Sequence, residues 1–188
     1  MASPSSEVDI CNLALQRLGA KAISSLSEDS TAGRECNRVY AHARDSELRA
    51  HPWNFARVRA SIAAEATAPI FGFANSFPLP VDYLRLLPDN EVTDWQIEGR
   101  SILTDDGAPL KIVYLKRVTD PNEFDELFID LLVARLAVDM AEKITQSNTK
   151  KEDAGASYTL AKREARKVNS FENIGGEPPQ DDWITARL

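Results

Sequence analysis

The sequence predicts a mainly helical α+β fold: a four-helix bundle-like domain with a small antiparallel β element and an extended C-terminal arm. Three observations carry that expectation. Between Ser30 and Phe55, Cys36, Val39, Tyr40, Ala43 and Ala50 recur at helical spacing, while Arg34, Arg38, His42, Asp45 and Arg49 take the other side. From Leu127 to Val138 the chain is apolar nearly all round, interrupted only by Asp130 and Arg135, as the central helix of a core would be. Between Tyr83 and Leu115, short β-favouring runs are separated by Gly99-Arg100 and Asp105-Asp106-Gly107, both of which read as tight turns.

Taken in order, Ser6 with Asp9 three residues on caps a helix over about 6–18, and Gly19 stops it. Val8, Cys11, Ala14, Leu15 and Leu18 form its stripe, but Ile10 and Leu13 lie off it, so the apolar face is wide enough to be buried on two sides. A connector follows, pinned by Ile23 and Leu26, and the second helix spans about 30–51. Pro52 ends it, because proline lacks the amide hydrogen and restricts His51 before it; Trp53 and Phe55 then turn inward as core anchors. From Ser61 to Pro80 helical periodicity disappears, and Pro69, Gly72, Pro78 and Pro80 punctuate a long loop holding Ile70, Phe71, Phe73 and Phe77. Long irregular segments in compact domains commonly carry contacts, so these four are candidate interface residues, with capping of the core as the plainer alternative.

A small sheet is expected over about 83–115, with Tyr83 as a further anchor. Asp120-Pro121-Asn122-Glu123 then combines a capping Asp, proline at the first helical position and Glu three residues past the cap, which starts a helix running over about 121–147 with Phe128 and Leu132 in the core. Thr149 with Glu152 opens a last helix over about 150–170. Its stripe is Ala154, Tyr158, Ala161, Ala165 and Val168, and Lys162, Arg163, Arg166 and Lys167 are expected to face outward, solvated or against an acidic neighbour. The organisation is therefore one domain over residues 1–170 and an arm over 171–188. With Gly175-Gly176, Pro178-Pro179 and four acids against one Arg, the arm cannot pack by itself, yet Phe171, Ile174, Trp183 and Ile184 give it means to dock on another subunit.

At 188 residues one sizeable core is expected. A net charge of −7 argues against a dedicated nucleic-acid binder. The charge is uneven: residues 61–130 carry 13 acidic and 5 basic groups, and residues 150–170 carry 6 basic and 3 acidic ones. Such asymmetry suits an assembly in which unlike surfaces meet. No apolar run approaches the ~20 residues of a membrane span, and residues 1–7 show no signal-peptide pattern, so a soluble, cytoplasmic chain is expected. Cys11 and Cys36 fall on apolar stripes and read as buried small residues, a disulfide being the alternative.

No catalytic pattern stands out. There is no phosphate-binding glycine loop and no nucleophile elbow, and Cys11, Cys36, His42 and His51 lack the close ligand pairs of a zinc site; no metal and no cofactor is expected. Asp94, Glu98, Asp105 and Asp106 are the carboxylates a small cell-wall-degrading hydrolase would draw on, but they sit at turns and hairpin ends with no apolar setting to raise an acid's pKa.

The order of elements resembles a known family. Two helices joined through Leu18-Gly19, a Trp53-Asn54-Phe55 exit, Leu79-Pro80-Val81-Asp82-Tyr83-Leu84 entering a sheet with Trp95-Gln96-Ile97-Glu98-Gly99, the Tyr114 strand and two closing helices are similar to the tail tubular protein A family of short-tailed bacteriophages, over nearly the whole chain. The resemblance implies a noncatalytic head-to-tail adaptor, or connector, of the virion tail. It also implies a ring of twelve copies beneath the portal protein, continuing the channel for double-stranded DNA ejection. Below it the ring offers a platform to the next tail component, the nozzle, also called tail tubular protein B. It places the chain in the virion neck, and in the host cytoplasm during assembly, with no membrane partner. The arm with Trp183 would climb onto the portal, and the acidic excess over residues 61–130 would let DNA slide without gripping it. An adaptor of a long-tailed phage would play the same joining role.

Overall fold

The computed structural model describes residues 6–88 and 94–172. Among these residues, four α-helices and six strands build an α+β fold in three layers: helices, a central sheet and an outer sheet. The strands are β1 (Arg57–Ile62), β2 (Asn75–Pro78), β3 (Tyr83–Leu86), β4 (Trp95–Glu98), β5 (Ser101–Thr104) and β6 (Leu110–Lys116). The central sheet runs β1-β6-β3 and the outer one β2-β5-β4, both antiparallel. The helices are α1 (Glu7–Leu18), α2 (Thr31–Ala50), α3 (Glu126–Thr145) and α4 (Asn148–Phe171).

The central strand β6 sets the layering. Successive side chains of a strand point to opposite faces, so Val113 and Leu115 join the core beneath the helices, while Leu110, Ile112 and Tyr114 join a second core against Phe77, Leu79 and Ile102 of the outer layer. Both faces are buried, which is why Leu110 to Leu115 is apolar apart from Lys111. The helices do not close a four-helix bundle of their own: their core is completed by Leu84, Leu87, Val113, Leu115 and Val118 from the sheet side. The single β element expected over 83–115 is thus two sheets. Part of the expected 61–80 loop is strand as well: β1 escapes a hydrophobicity pattern because Arg57, Arg59 and Ser61 alternate with the half-buried Val58, Ala60 and Ile62.

Local signals explain the helix ends. Ser6 accepts from the Asp9 amide and Gly19 takes a left-handed φ of 74°, bounding α1. Ser30 accepts from the Gly33 amide to start α2, which stops at extended His51 before Pro52. The third helix begins later than its first cap suggests. Asp120 and Pro121 make only a single 3-10 turn over Pro121–Glu123, Phe124 is extended, and Asp125 then caps α3 by accepting from the Leu127 and Phe128 amides. Breaking the helix there lets Phe124 pack against Phe55 and Phe128, at ring-centroid distances of 6.0 and 5.1 Å. The α3–α4 joint turns on Gln146 at φ 50°, and Ser147 rather than Thr149 caps α4.

The anchors fall as follows. Trp53, Phe128 and Leu132 are fully buried; Phe55 is half-buried between the rings of Trp53 and Phe128. Tyr83 is half-buried against the outer core, beside Tyr114. Ile10, off the α1 stripe, is fully enclosed by its own domain, whereas Leu13 stays partly exposed. Phe77, assigned from sequence to an interface loop, is instead a β2 residue with no exposed surface: pairing with Ile102 of β5 turns its ring into the second core. We therefore expect Phe77→Ala to cost about 3–5 kcal/mol in denaturant unfolding, whereas Phe71→Ala, six residues earlier on the exposed loop, stays within about 0.5 kcal/mol of the wild type.

Candidate assembly surfaces

The outermost helix, α4, is held by a polar bridge rather than by a broad apolar face. Glu47 of α2 is 3% exposed, and its Oε1 accepts from the Tyr158 hydroxyl of α4 at 2.6 Å and from Arg135 Nη1 of α3 at 3.4 Å. The Arg135 guanidinium and the Lys162 ammonium both lie over the Tyr158 ring, at 5.7 and 5.1 Å from its centroid, and Lys162 also donates to the Tyr158 oxygen. Trp53 closes the arrangement by donating from Nε1 to the Glu47 carbonyl at 2.8 Å. Three helices thus share one buried carboxylate.

A second clamp fixes the far end of α4. Asn169 accepts from the Asn54 amide and donates to the Pro52 carbonyl, and its Nδ2 lies 3.1 Å from His51 Nε2. Asn54 returns two bonds, to the Asn169 carbonyl and the Glu172 carboxylate. His51 packs edge-on to Trp53 at 4.7 Å, and burial, with the positive charges of Arg166 and Arg85 added, pushes its imidazole down to about 4.

With that side fixed, Leu160, Lys167 and Phe171 point away from the body, at i, i+7 and i+11 on one face. Leu160 is 64% and Phe171 69% exposed. The four basic residues expected to face outward divide. Arg163 and Lys167 are exposed, Lys167 lying 5.8 Å from the Phe171 ring; Lys162 and Arg166 are half-buried along the anchored side, where the Tyr158 ring draws Lys162 back. Phe171, assigned from sequence to the arm, is the last residue of α4, whereas Ile174, Trp183 and Ile184 lie outside the described residues.

A further exposed apolar group sits on the outer sheet. Residues 67–73 lie over the face of that sheet formed by Ser76, Gln96, Glu98, Ser101 and Leu103, bordering an open cleft of about 460 Å³. Phe73 is half-buried there; Ile70 is 98% and Phe71 87% exposed. Both ends of the loop are tied. The Glu65 amide donates to the Ser76 carbonyl, its carboxylate accepts from Ser76 and Ser101, and the Ala74 amide donates to Asp105. Ile70 and Phe71 therefore stand out from a pinned loop.

The carboxylates a hydrolase would use are not gathered around a cavity. Asp94, Glu98 and Asp105 are exposed, and Asp105 is engaged in holding Ala74. Cys11 and Cys36 are free and buried, in contact across α1 and α2; its Cys36 neighbour and burial push the Cys11 thiol up. Among the described residues no three His, Cys, Asp or Glu side chains stand as a metal site would require, and no helix is long and apolar enough to cross a membrane. Comparison with known protein families and with curated proteins finds no match.

The sequence reading did not single out Glu47, Tyr158 as its partner, or Asn169. Glu47 carries a usable signal, since it falls on the apolar stripe of α2 between Ala43 and Leu48, whereas Ala50, expected on that stripe, is exposed; Asn169 in place of an apolar residue in the last turn of α4 carries a weaker one.

Two outcomes follow from these anchors. Tyr158→Phe leaves the Glu47 carboxylate short of a donor and is expected to cost about 1.5–3 kcal/mol, while Glu47→Ala takes away the acceptor of the Tyr158 hydroxyl but leaves Arg135 its ion pair with Asp139 at 3.0 Å, so its cost by denaturant unfolding is expected in the same range of about 1.5–3 kcal/mol. His51 titrates lower in the folded chain than the ~6.5 of an unfolded histidine, so the unfolded chain takes up the proton first as pH falls. The His51 contribution is complete above about pH 6.5 and is lost between there and about pH 4. Unfolding curves at about pH 7 and about pH 5 should show a larger loss for the wild type than for His51→Gln.

Proposed function

We propose that this chain is a noncatalytic virion protein of a bacteriophage, a head-to-tail adaptor that assembles as a ring of twelve beneath the portal protein and passes double-stranded DNA to the tail. The observation that carries the reading is the adjacent exposed pair Ile70 and Phe71 on the outer sheet, with Leu160 and Phe171 exposed on the separate surface of α4. Isolated apolar residues on a surface need no explanation, but an adjacent pair exposed to this degree marks a contact site. A subunit that must meet neighbours on two sides, the portal above and the nozzle below needs several separate surfaces of this kind.

In this reading α4 and the following segment, residues 173–188 with Ile174, Trp183 and Ile184, serve the portal-side contacts. The acidic residues of the strand region line the channel, where like charge keeps DNA sliding. The chain acts in the virion neck and, before assembly, in the host cytoplasm.

Light scattering of the protein alone and after mixing with the portal ring of the same virus tests this. The expected result is a complex with about one copy per portal subunit, whose formation also raises the apparent stability of the bound chain. A chain lacking residues 173–188 should unfold at nearly the same temperature and fail to join the portal. Absence of any complex with the intact chain would overturn the assignment.

A further inference from the structure

Charge is left unbalanced where the end of α2 meets β3 and α4. His51, the cap of α2, feels the positive charges of Arg85 on β3 and Arg166 on α4, with no carboxylate acting against them among the described residues. Arg85 pairs in register with Leu115 and therefore stands on the helix side of the central sheet, as the anchored side of α4 does. Both arginines are half-buried. Among the described residues neither guanidinium has an ion pair or a hydrogen bond, and the Nε of Arg166 is buried without an acceptor.

The neighbouring groups are engaged elsewhere. Arg49, a third cation, donates to the Leu84 carbonyl. Glu172 is exposed and accepts from Asn54, and Glu47 accepts from Tyr158 and Arg135. The end of α2 offers only the partial negative charge of its carbonyls, of which those of Glu47 and His51 already accept from Trp53. Two like charges half out of water, one with an unfilled buried donor, cost free energy until an anion joins them.

We propose that Arg85 and Arg166 form a carboxylate-binding site, and that its carboxylate comes from Glu177, Asp181 or Asp182 in the C-terminal segment of the same chain. The planar guanidinium fork suits that ligand. Residues 173–188 carry these three acids against one Arg. The segment also begins beside the site: Asn54 holds both Glu172 and Asn169, and Asn169 touches His51. Arg166 lies about 9 Å back along α4 from Glu172, while the stretch from Glu172 to Glu177 reaches up to about 17 Å. Gly175-Gly176 falls between them, where the chain has to reverse. The proposal concerns the free chain and does not depend on the adaptor reading.

The Nε–Hε signals of Arg85 and Arg166 in 15N-correlated NMR spectra test it, each identified by its loss in Arg85→Lys or Arg166→Lys. The decisive variant carries Glu177→Gln, Asp181→Asn and Asp182→Asn; a charge-matched control carries Glu98→Gln, Glu152→Gln and Glu164→Gln, all at exposed positions. The first is expected to move both signals and the control neither. Inorganic phosphate, titrated to about 20 mM at constant ionic strength, probes whether the site is filled, since that range saturates a Kd near 1 mM. Its apparent Kd should be weaker for the wild type than for the decisive variant by about 4-fold or more, as a site three-quarters occupied by its own segment requires. The His51 ring signal, one of two in the chain, should follow phosphate in the decisive variant and lose that response when Arg85→Gln and Arg166→Gln are added.

Equal phosphate affinity in the wild type and the decisive variant would mean a site open to free anions, and would overturn the segment as its occupant. No response to phosphate or to neutralisation overturns the site itself. Wild-type signals that move toward their final positions only as protein concentration rises assign the carboxylate to a second copy and overturn the intramolecular contact.

Discussion

Burial of β6 on both faces is the constraint from which the architecture follows. A strand with one wet face alternates; this one carries Leu110, Ile112 and Tyr114 on one side and Val113 and Leu115 on the other, and both sets need apolar partners. Helices α1, α2 and α3 supply one cover. The outer sheet supplies the second, which is why a chain of this length builds three layers instead of a bundle. It also explains why the outer sheet is short: its strands β2, β4 and β5 have four residues each, enough to place Phe77, Ile97 and Ile102 over β6. Among the described residues it is 67–73 that lie over the outer sheet's other face, with Ile70 and Phe71 in solvent.

The parts of the fold legible in the sequence are those where one local signal dominates. Ser6 with Gly19, Ser30 with Pro52, and the unbroken apolar run of α3 each determine an element without help from distant residues. The misread parts are those where two signals compete or where partners are remote. Asp120-Pro121 and Asp125-Glu126 are both good helix starts, and the choice between them is made by the stacking of Phe124 on Phe128 and Phe55, which involves residues some 70 positions apart in the chain. β1 is hidden because Arg57, Arg59 and Ser61 alternate with positions that are only half-buried, one of them a mere alanine at position 60. The apolar content of β6 announces two-sided burial, but nothing local says that the second cover is another sheet.

Among the candidate contact residues the same distinction holds. Ile70, Phe71, Phe73 and Phe77 look alike as a cluster of apolar residues among prolines. Their separation into tip, half-buried lid and core depends on the pairing of β2 with β5, a long-range fact. On α4 the expected outward set failed at Lys162 and Arg166 for a related reason. Long basic side chains lie along apolar and aromatic surface when one is within reach, and the Tyr158 ring, held by Glu47, is in reach of Lys162.

That redistribution of charge bears on how the α4 surface works. Were all four basic groups exposed, the face would be governed by salt-sensitive attraction and would accept any acidic partner. With Lys162 and Arg166 drawn toward the body, the outward face carries Leu160 and Phe171 three turns apart, among two cations, Arg163 and Lys167, and two carboxylates, Glu164 and Glu172. The Glu47 and Asn169 clamps matter here as well: by holding α4 through polar contacts on one side, they leave its opposite side straight and free of obligations to its own core. The anchoring of α4 and the availability of its outer surface are therefore two consequences of one arrangement.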